Sequence, residues 1–141
     1  MIIYTIGFTK KSLEEFISLL KENNIQKIID IRLNNSSQLA GFAKGNDLKY
    51  ILGLVGIEYE HIQELAPDES IFKEYREDKD WDLYEKRFLE LMKQRKGAEI
   101  ISGLLKDGKT ACLLCSEDTS DKCHRRLVAE LLKDAEIVHL Q

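Results

Sequence analysis

Short apolar runs alternate with amphipathic stretches along this chain, and that alternation constrains its fold more than any other feature. Residues 2–6 ("IIYTI"), stopped by Gly7, read as a buried first strand. Ser12 is placed to cap a helix, with Glu15 three residues on completing a capping box. Leu13, Phe16, Ile17 and Leu20 then recur at helical spacing as far as about residue 24. Residues 25–31 ("IQKIIDI") form a second strand that ends at Asp30 and Arg32. A polar, glycine-containing loop follows, then a short helix from Asn46 or Asp47 to Leu54, and "VGIEYEHI" supplies a third strand. "KTACLLC" is a fourth, residues 123–133 a last helix, and "EIVHL" a final strand.

The stretch between the third and fourth strands is read differently. Residues 63–96 look like a helical insertion, with "APDESIFKEYREDKDWDLY" too polar for core. Within it Trp81, Tyr84, Phe88 and Leu91 share one helical face. That stripe suits a lid or a base-stacking platform, but a helix packed on a sheet accounts for it more simply. Residues 98–106 are a further helical stretch, ended by Asp107 and Gly108.

Strands alternating with helices indicate an α/β architecture with a mostly parallel, Rossmann-like sheet flanked by helices. Uniformly right-handed crossovers favour a doubly wound strand order. No linker-like or repetitive segment divides residues 1–141, so a single domain is expected. Ligands of such sheets gather outside the carboxyl ends of the strands. Three polar strand ends fall there: Gly7–Thr9, Asp30–Arg32 and the stretch from Cys115 to Glu117. The strand ends at Gly7, Arg32 and Cys115 are expected side by side on that edge, with the long Arg32 side chain able to reach across as far as two strands.

Composition excludes several functions. At 43% hydrophobic and 33% charged residues the chain suits a globular protein rather than disorder. A net charge of −4 argues against an extended nucleic-acid surface while leaving room for a small basic pocket. No apolar run is long enough to cross a bilayer, so no membrane partner is expected. Residues 1–8 have neither a basic start nor a cleavable apolar core. With three cysteines in no repeating framework, a reduced, cytoplasmic setting is the expectation.

The chemistry concentrates in "CLLCSEDTSDKCHRRLVAELL", residues 112–132. Cys115, Cys123 and His124 are ligand types that zinc prefers, but Cys-x7-Cys-His matches no common zinc pattern. Adjacent helical residues also point about 100° apart. No metal is expected on those grounds. As thiols, Cys123 is favoured: it opens a helix beside Lys122, Arg125 and Arg126, which lowers a thiol pKa. Cys115 is disfavoured by Glu117, Asp118 and Asp121, and Cys112 reads as core.

A third reading is anion recognition at the start of the last helix, where free N–H groups, His124 and Arg125 meet. Arg32 can reach the same anion, with Asp30 holding an arginine in place. A structural ion pair of Arg125 with Asp30 or Glu117 stands equally open. Glu117, just past a buried strand, is a candidate general acid or base. His61 is a weaker one, and His139 reads as packed.

Taken together, "YTIGFT", "DIR", "GIEYEHI" and "LLCSEDTSDKCHRRLVAELL" ending near "VHL" resemble the domain-of-unknown-function family 488 over essentially the whole chain. The resemblance implies a compact prokaryotic α/β domain of unestablished activity. It also implies site positions at Tyr4, Gly7, Thr9, Asp30, Arg32, Cys115, Ser116, Glu117, Cys123, His124 and Arg125. Two departures stand out. Phe8 replaces the histidine of an I-G-H-S pattern, and Asn34–Asn35 stand where a proline often follows the D-x-R. If that histidine is a catalytic base, this chain has lost it or uses another, such as His124 or His61.

The favoured functional reading is a small cytosolic enzyme acting on an anionic small molecule, a nucleotide or modified base. Arg32 and Arg125 would bind, Glu117 would exchange the proton, and Cys123 or His124 would assist. A non-catalytic nucleotide or anion sensor is the alternative, and a thiol-dependent redox or sulfur-transfer protein a third. No cofactor and no oligomeric state is indicated.

Overall fold

The computed structural model describes residues 1–35, 41–116 and 120–141. Its elements run β1 (Ile2–Gly7), α1 (Leu13–Glu22), β2 (Lys27–Asp30), α2 (Gly45–Leu54), β3 (Glu58–His61), α3 (Glu69–Asp78), α4 (Trp81–Arg95), α5 (Gly97–Leu104), β4 (Ala111–Cys115), α6 (His124–Ala129) and β5 (Glu136–Leu140). Two short 3₁₀ turns lie at Gly41–Ala43 and Gln63–Leu65. The five strands form one sheet, all pairs parallel, in the order β3-β2-β4-β1-β5. No described helix is long and apolar enough to cross a membrane.

This order explains why the helices divide between the two faces. The chain travels from β1 past β4 to β2 and on to β3, then returns to β4 and passes β1 to reach β5. Crossovers of one hand put the outward and returning connections on opposite faces. The core shows that division. Phe16 and Leu20 of α1 and Leu48 and Leu52 of α2 pack with Ile6, Ile28, Cys112 and Leu114. On the other face Ile71, Tyr84, Phe88, Met92, Ile101 and Leu127, from α3 to α6, pack with Ile3, Ile29, Ile31 and Leu113. β4 is buried at every residue, as its near-continuous apolar run requires of a strand covered on both faces.

The local signals in the sequence act as their chemistry dictates. Ser12 Oγ accepts from the Glu15 amide and Glu15 Oε1 from the Ser12 amide, both at 3.1 Å, so the capping box forms. The aromatic stripe of α4 faces the sheet: Tyr84 and Phe88 are buried, with Trp81 and Leu91 packed against their cluster.

Three expectations change. The polar stretch of residues 66–84 does enter the core, since Ala66, Ile71 and Tyr84 are buried, and the helical insertion of residues 63–96 lies in the β3–β4 crossover and covers one face. The last helix spans six residues rather than eleven, since the chain tightens after Ala129 into turns that bond Leu131 to Val128 and Leu132 to Ala129. β2 also pairs directly with β4, so Arg32 has no second strand to reach across.

Candidate functional site

The register brings the expected strand ends side by side. Gly7 stands opposite Cys115, and Asp30 opposite Leu114. β1 and β4 are neighbours whose outgoing connections depart in opposite directions and cover opposite faces. That is a topological switch point, where the following loops splay apart and leave a crevice. Here the loops are tied across the gap: the Thr9 amide donates to the Ser116 carbonyl at 3.1 Å, and the Thr9 hydroxyl donates to the same oxygen.

One side-chain cluster lies on the α6 side of this edge. Cys115 Sγ is 3.5 Å from His124 Nδ1. The Ile31 carbonyl can only accept, so His124 Nε2, at 2.6 Å, carries the proton of that hydrogen bond and Nδ1 faces the sulfur. The ring also meets Phe88 edge-on, with centroids 5.6 Å apart. Cys123 completes the group: Cys115 Sγ, Cys123 Sγ and His124 Nδ1 all lie within 4.8 Å of one another. Burial presses His124 towards its neutral form, but the charge and hydrogen bond of Cys115 outweigh it, so the imidazole holds a proton more tightly than usual. Burial first, then the hydrogen bond and charge of Cys115, push the Cys123 thiol well up against the opposing pull of Arg125.

Arg125 lies beneath this cluster and is fully buried. Its Nε donates to Thr5 Oγ1 at 3.2 Å, and its Nη1 approaches Cys123 Sγ at 3.9 Å. Thr5 Oγ1 also meets His139 Nδ1 at 2.6 Å, which links β1 to β5.

A second cluster centres on Asp30, on the side of α1 and α2. Arg32 donates to both Asp30 oxygens, Nε at 2.9 Å and Nη2 at 2.7 Å, and the Arg32 amide adds a third bond at 3.1 Å. Tyr59 donates its hydroxyl to Asp30 Oδ2 at 2.5 Å and accepts from Asn35 Nδ2 at 3.0 Å. Burial and the Asp30 carboxylate push the Tyr59 phenol up to about 12. The guanidinium lies over the Phe8 ring, 5.1 Å from its centroid. Its remaining nitrogen, Nη1, is buried and has no hydrogen-bond partner among the described residues. Beside this cluster opens a groove of about 890 Å³, lined by residues that include Leu33, Asn35, Gln63, Phe72, Lys73 and Arg76.

The family model described as "Domain of unknown function DUF488" matches residues 12–132. The chain belongs to the DUF488 family. No curated protein and no solved structure matches it significantly.

Most of the positions that the DUF488 motifs suggest therefore gather at one sheet edge. They form two groups, not one. Cys115, Cys123, His124 and Arg125 share the α6 side, whereas Asp30 and Arg32 pack with Phe8 and Tyr59 on the other. Gly7, Thr9 and Ser116 lie between them at the switch point. Glu117 lies outside the described residues. Tyr4, three residues before the end of β1, packs against the α1–α2 cluster and is not part of either group.

Two corrections concern chemistry. Arg32 and Arg125 do not converge on one anion: Arg32 lies over Phe8 on the α1–α2 face of the sheet, whereas Arg125, from α6, bonds Thr5 on the other face. Asp30 takes Arg32 as its partner. The favoured sulfur also changes. Cys123 opens α6 as its N-cap, in extended conformation, but burial pushes its thiol up rather than down, and it is Cys115 that faces the imidazole. Sequence reasoning missed Thr5, Tyr59 and the Ile31 carbonyl. The strand alternation that puts Thr5 on the α6 face was readable; a backbone acceptor leaves no signature.

Proposed function

We propose that this DUF488 protein is a small enzyme that binds an anionic small molecule, a nucleotide or modified base, at the carboxyl edge of its sheet. The observation that carries the reading is Arg32. Its guanidinium is buried, clamped by Asp30 in a two-point pair, and keeps one nitrogen without a hydrogen-bond partner among the described residues. A buried donor left unsatisfied costs about 1–3 kcal/mol, more for a charged group. An oxygen of an anionic ligand removes that cost and gains a charge-assisted bond. Such a donor beside a switch point is where an α/β sheet holds its ligand. Glu117, assigned from the sequence, is the proposed acid or base.

A non-catalytic sensor is the second reading, and Phe8 favours it. The ring occupies the position of the motif's histidine and supplies only a face for Arg32 to rest on. The test is a thermal-shift screen with inorganic phosphate and nucleoside phosphates, followed by product analysis of each compound that binds. A ligand at a hundred times its Kd stabilises the native chain by about 2.7 kcal/mol. A shift that Arg32→Lys reduces, with product formed by the parent and not by Glu117→Gln, supports the enzyme. A shift without product selects the sensor, and no shift with any of these anions overturns both.

A further inference from the structure

We infer that Cys115, Cys123 and His124 form a zinc site. Three donors of the type zinc prefers converge from two elements, the last residue of β4 and the two residues that start α6. The separations fit. Zinc–sulfur bonds of about 2.3 Å and zinc–nitrogen bonds of about 2.0–2.1 Å at tetrahedral angles put sulfur and nitrogen about 3.5–3.6 Å apart. Cys115 Sγ and His124 Nδ1 are 3.5 Å apart, and Cys123 Sγ is within 4.8 Å of both.

The objection raised by adjacent ligands does not apply here. Two successive residues within a helix diverge by about 100°. Cys123 precedes the helix with φ −139° and ψ 139°, so its side chain is not on that spiral. The irregular helix start turns Cys123 and His124 to one point.

The surroundings are those of a metal ligand set. A ligating histidine usually donates its other ring N–H to a carbonyl or carboxylate, which fixes the tautomer. His124 does so to Ile31 at 2.6 Å, leaving the Nδ1 lone pair towards the two sulfurs. Arg125 Nη1, 3.9 Å from Cys123 Sγ, is placed to support negative charge on that sulfur. Two thiolates and a neutral imidazole around Zn²⁺ carry no net charge, so the filled site is far cheaper to bury than two bare thiolates. A free nucleophile, by contrast, needs access, and Cys115 is 4% and Cys123 2% exposed. A cysteine–histidine dyad would also leave Cys123 without a role.

The site does not depend on the Arg32 reading, and its test reads metal rather than ligand or turnover. The untagged chain, purified without added metal or chelator, should carry zinc in a ratio approaching one per chain by elemental analysis. Apoprotein titrated with Co²⁺ should develop sulfur-to-cobalt charge-transfer bands and the intense visible bands of tetrahedral thiolate coordination, a readout that needs no variant. Cys115→Ser, Cys123→Ser and His124→Ala should each weaken zinc binding by about tenfold or more. Cys112→Ala, on the opposite face, should leave it unchanged. Absence of zinc together with absence of cobalt–thiolate bands overturns the inference. So does rapid alkylation of Cys115 that saturating zinc fails to suppress, which would mark that thiol as a nucleophile.

Discussion

His124 donates through Nε2 to the backbone carbonyl of Ile31 at 2.6 Å, so the first residue of α6 is fastened to the chain leaving β2. The two positions are ninety-three residues apart in sequence. Their contact closes the edge over β4 and sets the orientation of the imidazole against Cys115. The Asp30–Arg32 pair begins one residue to either side of Ile31 and faces the other way. One short segment, residues 30–32, therefore anchors both clusters.

That anchoring makes Asp30 costly to change. Breaking a buried ion pair from one side leaves a charge without its partner, at about 3–5 kcal/mol. Asp30 and Arg32 are both buried, so Asp30→Asn should lower the urea midpoint by a loss of that size. Lys109 and Glu58 form an exposed pair at 2.5 Å, and Lys109→Ala should leave the midpoint nearly unchanged.

The start of α2 is equally constrained, for a steric reason. A Cβ added at Gly45 would lie 2.4 Å from Asn35 Nδ2, and Asn35 is held by Tyr59 and by the Gly45 amide bonded to its carbonyl at 2.6 Å. Gly53, on the same helix, has nothing within 4 Å of that position. Gly53→Ala should stabilise the fold by up to about 1 kcal/mol through helix propensity. Gly45→Ala should lose that gain and more, as over-packing commonly costs about 1–3 kcal/mol. Chemical denaturation of the two variants should move their midpoints in opposite directions.

The half-buried imidazole of His139 predicts a pH effect. Burial, then Arg125, holds His139 below its usual value of 6.5. The unfolded chain then binds that proton first, so His139 removes stability as pH falls below about 6.5. His139→Gln should therefore be relatively more stable than the parent at pH 5 than at pH 7. Equal differences in urea midpoint at the two pH values would contradict the assignment.

The sequence made the frame legible because apolar periodicity and capping are local signals. The capping box at Ser12 and the aromatic face of α4 followed from spacing alone, and the meeting of Gly7, Asp30 and Cys115 followed from β/α alternation. What stayed hidden depends on long-range geometry. Whether Arg32 and Arg125 share a pocket is decided by the sheet face on which each lies, one just past β2 and the other on α6. Ile31 acts through a backbone oxygen that every residue has. Cys123 departs from the helix by a rotation that its neighbours in sequence do not encode. The "RR" in the motif is the clearest case, since two identical side chains in succession receive opposite environments.

Arg125 and Arg126 should therefore differ sharply when truncated. Arg125 is fully buried, bonded to Thr5, and set against Cys123 beneath the core-facing side of α6. Replacing it by alanine removes a large buried stem, leaves a void, and strips Thr5 of a donor. Cavity formation and a lost buried hydrogen bond together make about 3–5 kcal/mol the expected loss. Arg126 reaches outward to Glu130, Nη1 to Oε2 at 3.1 Å, and lies 5.9 Å from the Trp81 ring centroid. Its partners are partly solvated, so Arg126→Ala should cost about 1 kcal/mol or less. Arg125→Lys separates charge from shape: it keeps the cation but loses the planar fork, so it should fall between parent and alanine. Denaturation of the three variants at pH 7 checks the order. A melting temperature for Arg125→Ala close to that of the parent would show that the buried guanidinium is not part of the scaffold.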